Sequence, residues 1–174
     1  NAGSGVRLET ADGRALEAGH AVFCTGYELF DGIAPKGFKV ISTWVLATKR
    51  QPSKVWRDRS LIWEAADQYL YLRSTVDGRI IAGGEDESFS DADKRDAMTA
   101  QKVKTLARKA ADYFPGADFT PEFSWSGSFG ESPTGVPAIG PIKDLPRCYA
   151  VLGFGGNGIT FSMLAAQLVT RHIQ

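Results

Sequence analysis

The 174 residues contain only two cysteines and two histidines. Cys24 and Cys148 stand far apart and neither belongs to a CxxC pair, so neither a thiol redox centre nor a cysteine-rich metal site is expected. Each has apolar or aromatic neighbours, the setting of a buried free thiol in a reducing compartment, here the cytoplasm. His20 and His172 are too few and too isolated for a zinc set or a Ser-His pair. Charge of one sign is also lacking. Lys+Arg and Asp+Glu are both 20, which leaves no basic surplus for nucleic acid or an anionic membrane. No apolar run approaches bilayer-spanning length, and no membrane span is expected. What remains, 43% hydrophobic and 23% charged residues, is an ordinary globular composition.

Patterning divides the chain into two styles. Val6, Leu8 and Thr10 alternate with polar residues, "ADGR" supplies a turn, and Leu16 resumes. A chain that opens inside a hairpin is expected of a piece of something longer. "HAVFCTGY" reads as a buried strand ending at Gly26, and "GFKVISTWVLATKR" as a strand rich in Val, Ile, Trp and Thr. "QYLYLRST" and "IIAGGEDE" form a hairpin with Asp77-Gly78 at the turn between Thr75 and Ile80. Strict alternation sends Tyr69, Tyr71 and Arg73 to one face and Leu70, Leu72 and Ser74 to the other. The paired glycines end that strand and the acids Glu85, Asp86 and Glu87 begin a loop. Adjacent acids on an extended run point different ways, so no metal site is expected of them.

"SDADKRDAMTAQKVKTLARKAADYFPG" predicts a helix, opened by a Ser90/Asp93 capping box and closed by Pro115-Gly116. Val103, Leu106, Ala110 and Tyr113 share the face that would cover a sheet, with Lys and Arg on the solvated side. "PEFSWSGSFGESPTGVPAIGPI" predicts a strand, a Gly/Ser/Pro loop and a short apolar piece, and "RCYAVLGF" another buried strand. "NGITFSMLAAQLVTRHI" predicts a helix whose apolar residues run nearly all round, so burial on most sides is expected. The two ends thus have the short buried strands of an α/β sheet, and the middle has antiparallel hairpins.

Three groups of residues carry potential chemistry. In Gly153-Phe154-Gly155-Gly156-Asn157-Gly158 the glycines permit positive φ and close backbone approach, and a helix N-terminus with unpaired N–H groups follows. Such a terminus suits phosphate or the negative charge of a reduced ring system. A tight strand-to-helix turn with no ligand is an equal reading of the spacing. The run is not a P-loop, since no Gly-Lys-Ser/Thr follows, and no acidic ribose reader can lie downstream of it. Tyr69, Tyr71 and Arg73 either line a pocket, with Arg73 as a fork for a carboxylate, or form an ordinary exposed strand face. Trp125 and Phe129 either cage a ligand or pack the core beneath their loop.

"TVDGRIIAGGEDE", "WSGSFGESPTGVPAIGPI" and "CYAVLGFGGNGITFSMLAAQLV" resemble, in that order, the C-terminal motifs of FAD-dependent amine and amino-acid oxidoreductases. This is the family of D-amino-acid oxidase, glycine oxidase and sarcosine oxidase. "HAVFCTGY" resembles the strand that leads back into the flavin domain there. The resemblance implies a fold of α/β plus α+β class: a partial, Rossmann-like FAD-binding domain with an inserted substrate domain of antiparallel sheet and helix. Residues 1–40 and 131–174 would belong to the flavin domain and 41–130 to the substrate domain. The family's N-terminal dinucleotide-binding unit, with its G-x-G-x-x-G, is not found in these residues.

By the same resemblance, Gly153, Phe154, Gly155, Gly156, Asn157, Gly158, Ile159 and Thr160 would approach the pyrimidine end of the flavin ring. Tyr69, Tyr71, Arg73, Trp125 and Phe129 would face a small-molecule amine or amino acid. No general base is named, because the protein mainly orients an uncharged amine. Two departures matter. Sarcosine oxidase-like members have Lys where Thr160 stands. Glycine oxidase-like members have a carboxylate-binding Arg where Phe129 follows Trp125-Ser126-Gly127. The implied activity is oxidation of a C–N bond by hydride transfer to flavin N5, carried out as part of a longer chain. The alternative is a non-catalytic substrate or cap domain that binds no FAD as it stands.

Overall fold

The computed structural model describes residues 5–29, 33, 34 and 36–174. The first four residues and part of 30–35, both inside the expected 1–40 segment, lie outside the described residues. The chain divides into two compact units, Asn1–Val40 with Phe129–Gln174, and Ile41–Ser128.

The first unit opens with the hairpin of β1 (Val6–Glu9) and β2 (Ala15–Ala18), in which Leu8 faces Leu16 across the antiparallel pair. β3 (Ala21–Phe23) follows. β4 (Lys39–Thr48) carries the chain into the second unit, where β5 (Ile62–Trp63), β6 (Leu70–Ser74) and β7 (Ile80–Glu87) precede α1 (Ala92–Ala97) and α2 (Thr99–Tyr113). β8 (Pro121–Glu131) leads out again. β9 (Ala138–Pro141), β10 (Cys148–Leu152) and α3 (Gly158–Ile173) complete the first unit.

In the second unit the strand order is β5-β6-β7-β4-β8. The β5–β6, β6–β7 and β7–β4 pairs are antiparallel. The β6–β7 turn is the one expected: Gly78, at φ +86°, donates its N–H to the Thr75 carbonyl at 3.0 Å. One sheet face supplies Trp44, Leu46, Leu70, Leu72, Ile80 and Ala82 to a core completed by Val103, Leu106 and Ala110 of α2. Each fully buried large side chain there contributes about 2 kcal/mol of burial free energy. The opposite face is where Tyr71 packs with Val45, Ala47 and Ile81. In the first unit β10 pairs in parallel with β3 and antiparallel with β9. Tyr149 and Val151 of β10 meet Ala165 and Val169 of α3. A parallel β3–β10 pair is what two strands far apart in sequence can form without a tight turn.

Several expectations are corrected by tertiary context. Cys24 is exposed, since it lies just past a strand of only three residues, and Val22 in that strand is also exposed; Cys148 is buried as expected. The helix cap is Asp91, whose side chain accepts from the Lys94 N–H at 2.9 Å, in place of the Ser90/Asp93 box. Two helical segments meet at Met98 where one was expected. Tyr113 is exposed, because its hydroxyl reaches outward to donate to Glu64 Oε1 at 2.6 Å. Glu85, Asp86 and Glu87 continue β7 and do not begin a loop.

Lys102 turns inward from the helix's polar side and is 9% exposed; its ammonium lies 2.6 Å from Glu87 and 3.6 Å from Glu85. The buried Glu85, with the half-buried Glu87 beside it, draws Lys102 under the helix, as an unpaired buried charge would be far costlier. The largest difference is α3. Only Ala165 and Val169 are buried, while Met163, Leu164 and Leu168 are exposed and Ile159 is 91% exposed. Within the described residues β9 and β10 cover just one side of it.

Candidate functional site

The glycine run joins β10 to α3. Gly153, at φ +76°, turns the chain out of the strand, and Phe154 bridges to Glu131. Gly155 donates its N–H to the Gly130 carbonyl at 2.9 Å, which pins the loop to the end of β8. Gly130 in turn is covered by the Phe38 ring, in space that any side chain at 130 would need. The rings of Phe154 and Phe161 stack at 6.5 Å and fix the exit angle of the helix. The loop is therefore held by its backbone and by two aromatic rings.

α3 starts with no side-chain cap: Asn157 stands at the N-cap position without a hydrogen bond from its side chain, and no acid occupies the first turn. The first N–H groups of a helix have no intrahelical acceptor. Here they and the positive end of the helix dipole are left open beside Ile159 and Thr160, both exposed. Gly156 and Gly158 have no positive φ, and a side chain at either would meet no described atom within 4 Å. Neither backbone geometry nor internal packing accounts for glycine at these two positions. The positive end of the helix dipole at this terminus suits a partial negative charge.

The second set of residues lies in the other unit, on the sheet face opposite α2. The Tyr71 ring lies over Gly83 of β7, in space that a side chain there would fill. The rings of Trp63, Tyr69 and Tyr71 follow one another at 5.8 and 6.4 Å. Trp63 is 60% exposed. Arg73, next on the same face, is exposed and has no ion-pair partner among the described residues. Burial pushes the Tyr71 phenol above its ordinary pKa of 10.0, opposed by Arg73 and reinforced by Asp86. At neutral pH that group is therefore an O–H donor. Gly127 of β8 sits over the Thr43 methyl, and Trp125, two residues away, shares its side of the strand. Trp125 is 44% exposed. It is not packed into the core, which α2 completes from the other side of the sheet. Phe129 is half-buried and belongs to the first unit.

Thus Tyr69, Tyr71, Arg73 and Trp125 share one open sheet face. The sequence reading missed Trp63, Gly83 and Asp86. Asp86 accepts the Tyr69 hydroxyl at 2.8 Å. The signal for these was the Gly83-Gly84 pair beside a tyrosine strand: glycine in a strand interior marks a close approach or a bulge. Among the described residues no group of His, Cys, Asp and Glu could hold a metal ion, and no helix is long and apolar enough to cross a membrane.

Comparison with known proteins gives this arrangement its context. The chain is 27% identical to D-amino acid dehydrogenase 2 of Pseudomonas aeruginosa, over 98% of this chain and 40% of that protein. It superposes on glycine oxidase from Geobacillus kaustophilus with a TM-score of 0.77 at 19% identity, over 99% of this chain and 45% of that one. Iminodiacetate oxidase from Chelativorans sp. BNC1 gives 0.72 at 18% identity, over 93% of this chain and 44% of that one. The chain therefore spans less than half the length of these relatives. The two solved structures share its mixed α/β fold. The model of the family described as FAD dependent oxidoreductase matches residues 1–172, and the chain belongs to that family.

Proposed function

We propose that these residues form part of an enzyme that oxidises a C–N bond of an amine or amino acid, with residues 153–160 against the flavin and the open sheet face toward the substrate. The observation that carries the reading is the uncapped start of α3, with two glycines at which a Cβ would meet no described atom within 4 Å beyond the local backbone. Bound there, FAD would supply the two-electron acceptor for a hydride from the carbon that bears the amine. The chain's own part is electrostatic and steric. The α3 N–H groups would stabilise negative charge arriving at that edge, with Thr160 adding a hydroxyl and no ammonium. Tyr71 and Arg73 would donate to an acidic substrate group, since Phe129 offers no cation. Trp63 and Trp125 would wall off water.

The P. aeruginosa relative is named a D-amino acid dehydrogenase and the two solved structures are named glycine oxidase and iminodiacetate oxidase, which favours an amino acid as substrate. Anaerobic mixing of the full-length protein with a panel of amines and of D- and L-amino acids tests this. Bleaching of the flavin band by at least one member is expected; a yellow protein bleached by none would sink the reading. Residues 159–174 contain no Asp or Glu. On this reading the pyrophosphate is held by residues outside the 174, and the chain purified alone is expected to show no flavin absorbance.

A further inference from the structure

Strict alternation along β7 would put Glu85 beside Ile81 and Gly83 on the open face, and Asp86 beside Ile80 and Ala82 under α2. A bulge reverses both. Ser42 pairs with Glu87 and Trp44 with Gly84, so three steps on β7 oppose two on β4. The extra residue is absorbed at Gly84 (φ +136°) and Glu85 (φ +60°). A side chain at Gly84 would collide with the Tyr69 carbonyl, so the position has room for glycine only. Beyond the bulge Glu85 turns under the helix to Lys102 and Lys109. Asp86 emerges on the open face, where it accepts the Tyr69 hydroxyl at 2.8 Å. Its other oxygen, Oδ1, is buried with no hydrogen-bond partner.

A phenol has one hydrogen to give. With that hydrogen committed to Asp86, the Tyr69 oxygen meets a ligand as an acceptor, and the carboxylate behind it adds negative charge that few other donors share. Two residues along the strand the polarity is opposite, with the Tyr71 O–H and the Arg73 guanidinium both donors. We propose that Asp86 is a positioning residue that fixes Tyr69 as a hydrogen-bond acceptor, so that the Tyr69 end of this face takes the N–H end of an amine substrate and the Tyr71–Arg73 end takes its acidic end. This rests on the proposed use of the face for substrate. The aromatic ring of Trp63, 5.8 Å from that of Tyr69, adds a wall that favours a cationic amine on the same side.

The test uses the full-length flavoprotein and two probes, a primary alkylamine and an aromatic carboxylate, each titrated by the change it makes in the flavin absorption band. Asp86→Asn is expected to weaken the alkylamine about tenfold while carboxylate binding holds or tightens, and Tyr69→Phe to repeat the amine loss. Asp86→Glu should restore most of it. A carboxylate near a bound amine favours the ammonium form. With the amine that the enzyme oxidises, Asp86→Asn should therefore move the rising limb of the kcat–pH profile to lower pH, by about half a unit or more. Equal loss of both probes in Asp86→Asn and Tyr69→Phe, or no loss in either, overturns the inference. If Arg73→Ala weakens the carboxylate while the Asp86 and Tyr69 variants leave the amine untouched, only the role of Asp86 falls. If none of these variants changes either probe, substrate does not use this face and the proposed placement falls with it.

Discussion

At the scale of single residues, Tyr71 and Gly83 depend on each other. The ring occupies the volume a side chain at 83 would need, which makes glycine a packing requirement at an extended position. Gly83→Ala should displace the ring and cost about 1–3 kcal/mol, read as a lower denaturant midpoint with unchanged slope. An unchanged midpoint would mean that the ring moves freely. The same burial sets a pH dependence. Because the folded phenol is raised above 10.0, the folded state holds its proton more tightly than the unfolded state. Its contribution is complete below about pH 10 and is lost as pH rises through the folded value. Tyr71→Phe should remove that alkaline loss of stability. Parallel alkaline limbs for the two proteins would contradict the assignment.

Among the elements, two electrostatic clamps hold helices to the sheet of the second unit. Under α2, Lys102 bridges Glu85 and Glu87, and Lys109 also pairs with Glu85. Lys102→Met would strand part of that negative charge, at a cost on the order of 3 kcal/mol. Adding Glu85→Gln and Glu87→Gln to Lys102→Met should recover most of it, and failure to recover would assign the loss to packing. At α1, Arg95 donates to Ser126 and Ser128 of β8, and Asp96 accepts from Ser126 at 2.6 Å. The Ser126 hydroxyl first, and Arg95 second, hold the Asp96 carboxyl below its ordinary value of 3.8. Its contribution is present above that value and lost as pH falls through the depressed one. Asp96→Asn should flatten the acid limb of the stability profile below about pH 4. An acid limb identical to the parent's would show the clamp to be inert.

For the molecule as a whole, the open terminus of α3 is where structure and proposed chemistry meet. Gly156→Val in the full-length protein is expected to lower flavin content at least severalfold while far-ultraviolet circular dichroism is kept, because a side-chain carbon there would meet no described atom within 4 Å beyond its chain neighbours. Full flavin occupancy in that variant would remove the steric argument for a ring against this loop. Much of the architecture was legible in the residues. Period-two alternation placed Leu70 and Leu72 in the core and Tyr71 opposite them, and Asp77-Gly78 marked a turn, because strand pleat and positive φ are local properties. The glycine run before α3 was legible for the same reason. Local rules failed where one element met another. The bulge that exchanged Glu85 and Asp86 between faces is set by the register of β7 against β4, and it put Asp86 beside Tyr69. The inward turn of Lys102 answers acids some fifteen residues away in the sequence. The sequence by itself determined the strands, the turns and which residues could share a face. Only tertiary structure decided which acid each face received and which apolar faces were covered, because pairing register and neighbouring elements are not encoded in any short window of the chain.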